Sequence, residues 1–185
     1  MERVEPVNLR RQTYHFGALC RTIIAQQLAA AAASTIHRRF LALFAPDRNP
    51  RPKQVLATEH RRLRACGLSA RKLDYLRALA HEFHDGRLRG TRLGSCTDQR
   101  VKELLLPIPG IGPWSVEMFL IFSLGRPDIF SVRDLALCNA VQRVEGRSLT
   151  PAAIERVAQR WTPYRSVASL YLWKIAHWKA DGASS

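Results

Sequence analysis

Apolar residues recur along most of this chain at the three- and four-residue spacing of an amphipathic helix. One such segment runs from Phe16 to Gln27, and the next runs from Ala30 to Phe44. No segment of the sequence sustains the alternation of apolar and polar residues that is typical of a half-buried strand. The pattern therefore predicts an all-α fold.

Capping residues divide the rest of the chain into further helices. Ser69, Thr97 and Thr150 each stand directly before an apolar-periodic segment, where a hydroxyl group can accept a hydrogen bond from the first turn. Gly67 and Gly125 each follow a segment, as a helix-ending glycine does. The predicted helices are short ones within 54–65, then 70–84, a helix from 98, 114–124, a helix from 135, 151–161 and 165–180.

The segment Pro109-Gly110-Ile111-Gly112-Pro113 predicts a tight turn between two helices. Both glycines leave the backbone free to take positive φ, and Pro113 stands at the first helical position, where its missing N–H costs no hydrogen bond. A helix that opens after such a turn directs unpaired N–H groups and the positive end of its dipole outward. The turn therefore suits a bound phosphate.

Asp134 stands directly before the apolar-periodic segment that begins at Leu135. A short acidic side chain in this place is most often a helix N-cap. From spacing alone, the N-cap is the interpretation that the sequence favours for Asp134.

Charge narrows the class of partner. The 185 residues carry a net charge of +14, from 29 basic and 15 acidic side chains, so a nucleic acid is the first expected partner and an anionic membrane surface the second. The apolar runs are short, and the first residues show no signal-peptide pattern. We therefore expect a cytoplasmic, nucleoid-associated protein, 185 residues being enough for one compact unit or two small lobes.

The sequence predicts no side-chain metal site. His81 and His84 end a charged helix and are expected to be exposed, although their spacing leaves a zinc site open. The cysteines are too widely spaced for a metal site and favour free thiols; they are Cys20, Cys66, Cys96 and Cys138.

Four separated motifs then point to a family. They are Phe-Gly-Ala-Leu-Cys-Arg-Thr-Ile-Ile-Ala-Gln-Gln-Leu at 16–28, Cys-Gly-Leu-Ser-Ala-Arg-Lys at 66–72, Leu-Pro-Ile-Pro-Gly-Ile-Gly-Pro-Trp at 106–114 with Asp134-Leu135 some twenty residues later, and Trp-Thr-Pro-Tyr-Arg-Ser at 161–166 with Tyr-Leu-Trp at 171–173. In this order they resemble the helix-hairpin-helix superfamily of DNA glycosylases. Within it, the chain is most similar to the bacterial 3-methyladenine DNA glycosylase II group in its short form, without the extra amino-terminal domain. The likeness covers residues 14 to 178.

The resemblance implies one glycosylase unit, residues 1–185, made of two helical lobes with the active site in the cleft between them. One lobe would comprise about 46–145 with the hairpin at 106–113, and the other about 1–45 and 146–185. Some relatives hold a carboxy-terminal iron–sulfur cluster on four closely spaced cysteines. Because no cysteine follows Cys138, we expect no such cluster. We also expect no other cofactor.

The resemblance also implies a reaction. The expected activity is hydrolysis of the N-glycosidic bond of alkylated purines, such as 3-methyladenine and 7-methylguanine, in base excision repair. The nucleotide must be flipped out of the duplex for this, and the family's indispensable carboxylate falls on Asp134. It would stabilise the positive charge that develops on the sugar and orient the attacking water. Relatives that also cleave the backbone have a lysine where this chain has Trp114, so we expect an intact abasic site and no lyase activity.

The DNA-binding positions follow in the same way. The N–H groups of Gly110 and Gly112 would hold a phosphate, with Ile111 between them in the DNA-binding turn. The hairpin carbonyls near Pro109 and Ile111 would hold a Na⁺ or K⁺ ion that bridges to DNA. Two residues, Gln27 and Leu28, fall on the wedge that fills the gap left by the flipped base. Leu28 could equally be a core helix residue. Arg133 replaces an acidic residue of many relatives. The hypothesis is that it binds a phosphate; the alternative is that it holds Asp134 ionised and weakens its role as a base.

The base pocket would be lined by Trp114 and Trp173, whose aromatic faces suit a purine that methylation has made cationic. Core packing is the alternative for both. Met118 and Leu135 stand where some relatives have tyrosines and predict a more apolar pocket. The expected partner is damaged double-stranded DNA, bound by a monomer. Two other functions stay open: release of a neutral lesion such as hypoxanthine, ethenoadenine or uracil, and a non-catalytic module that binds damaged DNA.

Overall fold

The computed structural model describes residues 6–47 and 49–177. This part of the chain is all-helical, as predicted, and contains no strand. Its helices are α1 (His15–Ala25), α2 (Ala30–Ala42), α3 (Pro52–Ala57), α4 (His60–Ala65), α5 (Ala70–His84), α6 (Asp98–Leu105), α7 (Pro113–Phe122), α8 (Leu135–Glu145), α9 (Pro151–Gln159) and α10 (Arg165–His177), with a 3-10 turn at Leu93–Ser95 before α6.

The predicted caps form as hydrogen bonds. The Ser69 hydroxyl accepts from the Lys72 N–H at 3.2 Å, and the Thr97 hydroxyl accepts from the Arg100 N–H at 3.2 Å. The Thr150 hydroxyl accepts from the first turn of α9 at 3.3 Å. Each such bond satisfies a backbone donor that the helix itself leaves unpaired, and replacing a cap by alanine costs about 1 kcal/mol. The predicted end of the last helix, near residue 180, lies outside the described residues.

The chain divides into two compact units. We call residues 11–119 the hairpin unit, and residues 120–177 together with 6–10 the aspartate unit. The division differs from the predicted lobes, because residues 11–45 group with the hairpin and residues 120–145 group with the carboxy-terminal helices. The reason lies in packing: α1 contacts α2 and α5, whereas α8 contacts α9 and α10.

The hairpin unit has its core where α1 meets α5. The inward face of α1 buries Phe16, Leu19, Cys20, Ile23 and Ile24, and the inward face of α5 buries Leu73, Leu76, Leu79 and Ala80. Burying a leucine or isoleucine side chain fully contributes about 1.5–3 kcal/mol. This core fixes the end of α1 and the start of α5 in one place, which matters for the site described below.

The aspartate unit has a second core between α8, α9 and α10, formed by Leu137, Ala140, Val141, Ile154, Val157 and Leu172. An ion pair fixes the loop before α8: Arg165 Nε donates to Asp128 Oδ1 at 2.7 Å, and Arg165 Nη2 donates to Asp128 Oδ2 at 3.0 Å. The guanidinium holds the pKa of the Asp128 carboxyl below its usual value. Since Asp128 and Arg165 are joined on two atoms each, the loop that leads to Asp134 is anchored to α10.

The cysteines are free thiols, as predicted; Cys20 and Cys66 are buried, and Cys96 and Cys138 are half-buried. His81 and His84 are exposed, also as predicted. Among the described residues, no helix has the length and apolar character needed to cross a membrane.

Candidate functional sites

The hairpin turn depends on Gly110. Its φ is +84°, and a Cβ added there would overlap the ring of Tyr75 on α5. Gly112 has open space around the position of a Cβ, and its φ is not in the left-handed region. Of the two glycines that leave the turn free to take positive φ, Gly110 uses this freedom and Gly112 does not. Because Gly110 has no Cβ, the hairpin backbone can approach the Tyr75 ring closely at this position.

Gln26 fixes the hairpin from the side of α1. Its Nε2 donates to the Gly110 carbonyl at 2.7 Å and to the Ser115 hydroxyl at 3.2 Å. The first bond holds the turn, and the second holds the first turn of α7. A residue at the end of α1 thus sets the position of both parts of the hairpin motif.

Lys72 fixes the end of α1 in turn. Its Nζ donates to the carbonyls of Ile24 and Gln26, each at 2.7 Å. A cation at a helix C-terminus satisfies carbonyls that have no partner within the helix and opposes the negative end of the dipole. Burial lowers the pKa of this lysine. Lys72 thereby stabilises the carboxy-terminal end of α1, which lies at Ala25, two residues before the predicted Gln27.

The chain turns sharply after that end. Gln27 lies outside α1 with φ +56°, the one positive φ of a non-glycine residue in the described chain. Gln27 is exposed, and the Leu28 side chain is 38% exposed. The core interpretation of Leu28 is therefore wrong, because Leu28 lies in the connection between α1 and α2. An exposed leucine beside a strained backbone position is what a wedge would require.

The other hairpin positions lie near or in α7. Pro109 is exposed, and Ile111 is buried with its N–H donating to the Ile108 carbonyl at 3.0 Å. Trp114 is half-buried at the second position of α7, and Met118, one turn later, is 7% exposed within the core. Their predicted place in a base pocket with Trp173 stays a prediction.

Asp134 is the centre of the aspartate unit's candidate site. Its Oδ1 accepts from the Leu137 N–H at 2.9 Å, so the residue is the N-cap of α8, as its spacing predicts. The same oxygen accepts from the Trp173 indole N–H at 3.2 Å. The carboxylate is therefore held from two directions, by the first turn of α8 and by α10.

Aromatic and apolar groups surround this carboxylate. Phe122, at the end of α7, packs on Trp173 with ring centroids 5.2 Å apart and an angle of 32° between the rings. Phe122 is 45% exposed, and Leu135, the first residue of α8, is 74% exposed. The half-buried Trp173 is thus neither a simple core residue nor a free surface group. Phe122 and Leu135 thus leave apolar surface exposed next to Trp173 and Asp134.

Two neighbours of Asp134, Arg133 and Cys138, differ in their exposure to solvent. Arg133 is exposed directly before it. Cys138 lies one turn into α8, where burial, and then the charge of Asp134, raise the pKa of its thiol. Its Sγ donates to the Val132 carbonyl at 3.3 Å.

Three residues that matter here were not singled out from the sequence: Gln26, Lys72 and Phe122. Gln26 and Lys72 lie inside motifs that resemble the family, so their places were visible, but their partners are 84 and 46 to 48 residues away. In the sequence, Phe122 is one of many apolar residues in a helix that is predicted to be buried. No local signal distinguishes it from its apolar neighbours.

Comparison with known proteins assigns the chain to a superfamily. Residues 20–164 match the model of the HhH-GPD superfamily base excision DNA repair proteins. The chain belongs to this superfamily. It is 32% identical over 182 residues to DNA-3-methyladenine glycosylase 1 of Schizosaccharomyces pombe, covering 95% of this chain and 75% of the relative.

Solved structures of the superfamily have the same fold. A Bacillus halodurans DNA-3-methyladenine glycosidase is 36% identical with a TM-score of 0.81, covering 92% of this chain and 79% of that one. A Schizosaccharomyces pombe 3-methyladenine DNA glycosylase in complex with abasic DNA is 30% identical with a TM-score of 0.84, covering 93% and 85%. The chain spans only 58% of the length of a Bacillus subtilis relative to which it is 32% identical.

Proposed function

We propose that this protein is a monofunctional DNA glycosylase of base excision repair that releases alkylated purines from double-stranded DNA. Its superfamily, and the 3-methyladenine glycosylases to which it is similar, support the reaction class. The relative that was solved with abasic DNA supports DNA as the partner and an abasic site as the product.

The geometry of Asp134 carries this proposal. An N-cap needs only the bond from Leu137, yet the Trp173 indole adds a second donor to the same oxygen. The two bonds fix the direction in which the carboxylate faces. As the bond between sugar and base stretches, positive charge grows on the anomeric carbon and the ring oxygen, and a preorganised carboxylate stabilises it. The carboxylate can also orient the water that attacks this carbon.

The rim around Asp134 suggests which bases react. Trp173 and Phe122 present aromatic surface, and Leu135 presents aliphatic surface. A purine alkylated on a ring nitrogen is cationic, so it gains cation–π attraction of about 0.5–2 kcal/mol at such a surface. It is also already a good leaving group, and strong acid catalysis is unnecessary. A neutral lesion would require polar groups that read its edge.

DNA binding belongs to the hairpin unit in this proposal. The N–H groups of Gly110 and Gly112 would hold a phosphate, since the Ile111 N–H already donates to the Ile108 carbonyl. Leu28 would fill the space that the flipped base leaves. The Gly110 carbonyl already accepts a hydrogen bond from Gln26. The carbonyls of Pro109 and Ile111 on either side are therefore the ligands that would hold a monovalent cation. Backbone carbonyls suit Na⁺ or K⁺. Such an ion would bridge the hairpin to the DNA backbone.

Trp114 supports the absence of lyase chemistry. An indole cannot form the Schiff base with the sugar that a lysine forms at this position in relatives that cleave the backbone. We therefore propose that the strand stays intact after base release. The protein would act as a monomer.

The test compares base release from methylated duplex DNA by the wild type, Asp134→Asn and Asp74→Asn. Asparagine caps helices about as well as aspartate, and its oxygen can still accept from Leu137 and Trp173, so the first variant removes charge and keeps the fold. Asp74→Asn makes the same change at an exposed position of α5. We expect Asp134→Asn to slow release of 3-methyladenine about 100-fold or more, by analogy with the loss of other preorganised electrostatic groups.

The remaining outcomes separate the alternatives. Wild-type release with strands uncut until alkali is added supports a monofunctional enzyme, whereas early strand cleavage contradicts it. Equal release by all three proteins removes Asp134 from the chemistry. No release by the wild type, with tight binding to abasic DNA, indicates a damage-binding module in which Asp134 is only a helix cap.

A further inference from the structure

Helix α5 supports both DNA-binding elements of the hairpin unit. Lys72 and Tyr75 are three residues apart and therefore lie on one side of this helix. Lys72 bonds the end of α1, from which the Leu28 turn projects, and Tyr75 is the ring against which Gly110 packs. One rigid helix thus touches the wedge turn and the hairpin.

Gln26 links the end of α1 to the hairpin by hydrogen bonds. Its backbone carbonyl accepts from Lys72, while its side chain donates to Gly110 and Ser115. The residues that follow are Gln27, with φ +56°, and the exposed Leu28, whose N–H donates to the Ala25 carbonyl at the end of α1 at 3.3 Å. The hydrogen bonds that the side chains of Gln26 and Lys72 donate are 2.7 to 3.2 Å long.

We propose that Gln26 and Lys72 form a brace that couples the Leu28 turn to the hairpin, so that Leu28 enters the DNA at a fixed distance from the phosphate that the hairpin holds. The inference rests on the proposed DNA-binding role of these two elements. Gln26 and Lys72 are positioning residues: neither touches the reacting atoms, and each acts through backbone groups. Without the brace, the protein holds phosphate but places Leu28 poorly.

The readout is independent of base release. A duplex carries a stable abasic-site analogue with 2-aminopurine opposite it, and the fluorescence of 2-aminopurine rises when the base loses its stacking. We measure both the dissociation constant and the fluorescence at saturating protein. Saturation removes any effect of weaker binding, so the fluorescence reports how well Leu28 is placed.

The variants are Gln26→Met, Leu28→Ala and the double variant. Methionine has a similar length but cannot donate a hydrogen bond. Two lost bonds, one to the backbone, predict about tenfold weaker binding and a lower fluorescence plateau for Gln26→Met. In the double variant, we expect at least about threefold less loss of affinity than the product of the two single losses, because coupled residues are not additive. Lys72→Met combined with Leu28→Ala is expected to show the same non-additive loss of affinity.

Gln99→Met is the matched control, because Gln99 is exposed on α6 in the same unit and donates only to Glu103. It should leave affinity and plateau unchanged. A lower plateau in Gln99→Met, or losses from Gln26→Met and Leu28→Ala that simply multiply, would overturn the brace.

A further variant shows whether the donated bond itself matters. Gln26→Glu keeps the length and branching of the side chain but, when ionised, places no proton toward the Gly110 carbonyl. At pH 7 its fluorescence plateau should therefore lie below that of the wild type, as in Gln26→Met. A wild-type plateau in Gln26→Glu would contradict the bond's role. If the wild type binds this duplex but releases no methylated base, the glycosylase proposal fails while the brace is still tested.

Discussion

The two candidate sites are built from different parts of the polypeptide. In the hairpin unit, the groups that would meet DNA are, apart from the Leu28 side chain, backbone N–H and C=O groups, and side chains such as Gln26, Lys72 and Tyr75 hold that backbone. In the aspartate unit, the functional groups are side chains, and backbone serves to hold Asp134. Variants of the first should therefore change affinity, and variants of the second should change rate.

The largest effect that sharpens this comparison is expected from Trp173→Phe. The change keeps an aromatic ring beside Phe122 but removes the N–H that donates to Asp134. A hydrogen bond to a charged group contributes about 1.5–3 kcal/mol, so the single-turnover rate of base release should fall about tenfold to 100-fold. The dissociation constant for abasic DNA should change less than about twofold.

Trp161→Phe is its control, since Trp161 packs on Phe130 in the same unit with ring centroids 5.8 Å apart. It should leave the rate near that of the wild type. If Trp173→Phe instead weakens binding and keeps the rate, the division of labour between the units is wrong.

Gly112→Val tests the hairpin without disturbing its scaffold. A Cβ at Gly112 meets nothing within 4 Å, so the variant should melt at the wild-type temperature, yet its side chain would fill the space that we assign to a phosphate. We expect affinity for duplex DNA to fall about tenfold, the effect of losing one to two hydrogen bonds.

Gly110→Val is less informative, because its Cβ would overlap Tyr75 and its φ is +84°. That variant should lose stability as well as affinity, at a cost on the order of 1–3 kcal/mol. Thermal unfolding followed by circular dichroism separates the two glycines. A folded Gly112→Val with normal affinity would remove the hairpin N–H groups from DNA binding.

The smallest effect is expected from Arg133→Asp. If Arg133 binds a phosphate, the variant should bind DNA a few-fold more weakly, and the slope of log affinity against log salt should flatten by about 0.9. Arg156→Asp makes the same charge change at an exposed position of α9 and controls for net charge. Identical slopes in the two variants would leave Arg133 the alternative role of modulating Asp134, visible in the pH dependence of the rate.

Much of the fold could be predicted because its signals are local. Helix α5 begins after Ser69 and ends at His84 as predicted, since an N-cap hydroxyl and apolar periodicity both act within a few residues. Asp134 as an N-cap follows for the same reason. The end of α1 was predicted two residues too late: the helix ends at Ala25, and a lysine 46 to 48 residues away bonds the carbonyls of Ile24 and Gln26.

The sequence by itself determined the helices, their caps and the motifs that identify the superfamily, because capping, periodicity and glycine turns are short-range properties. Only the tertiary structure decided that Trp173 donates to Asp134, that Gln26 holds Gly110 and that Leu28 is exposed outside a helix. It also decided which helices form each unit. These features depend on which distant side chains come within hydrogen-bond distance. That is set by the packing of whole helices, and no single segment encodes it.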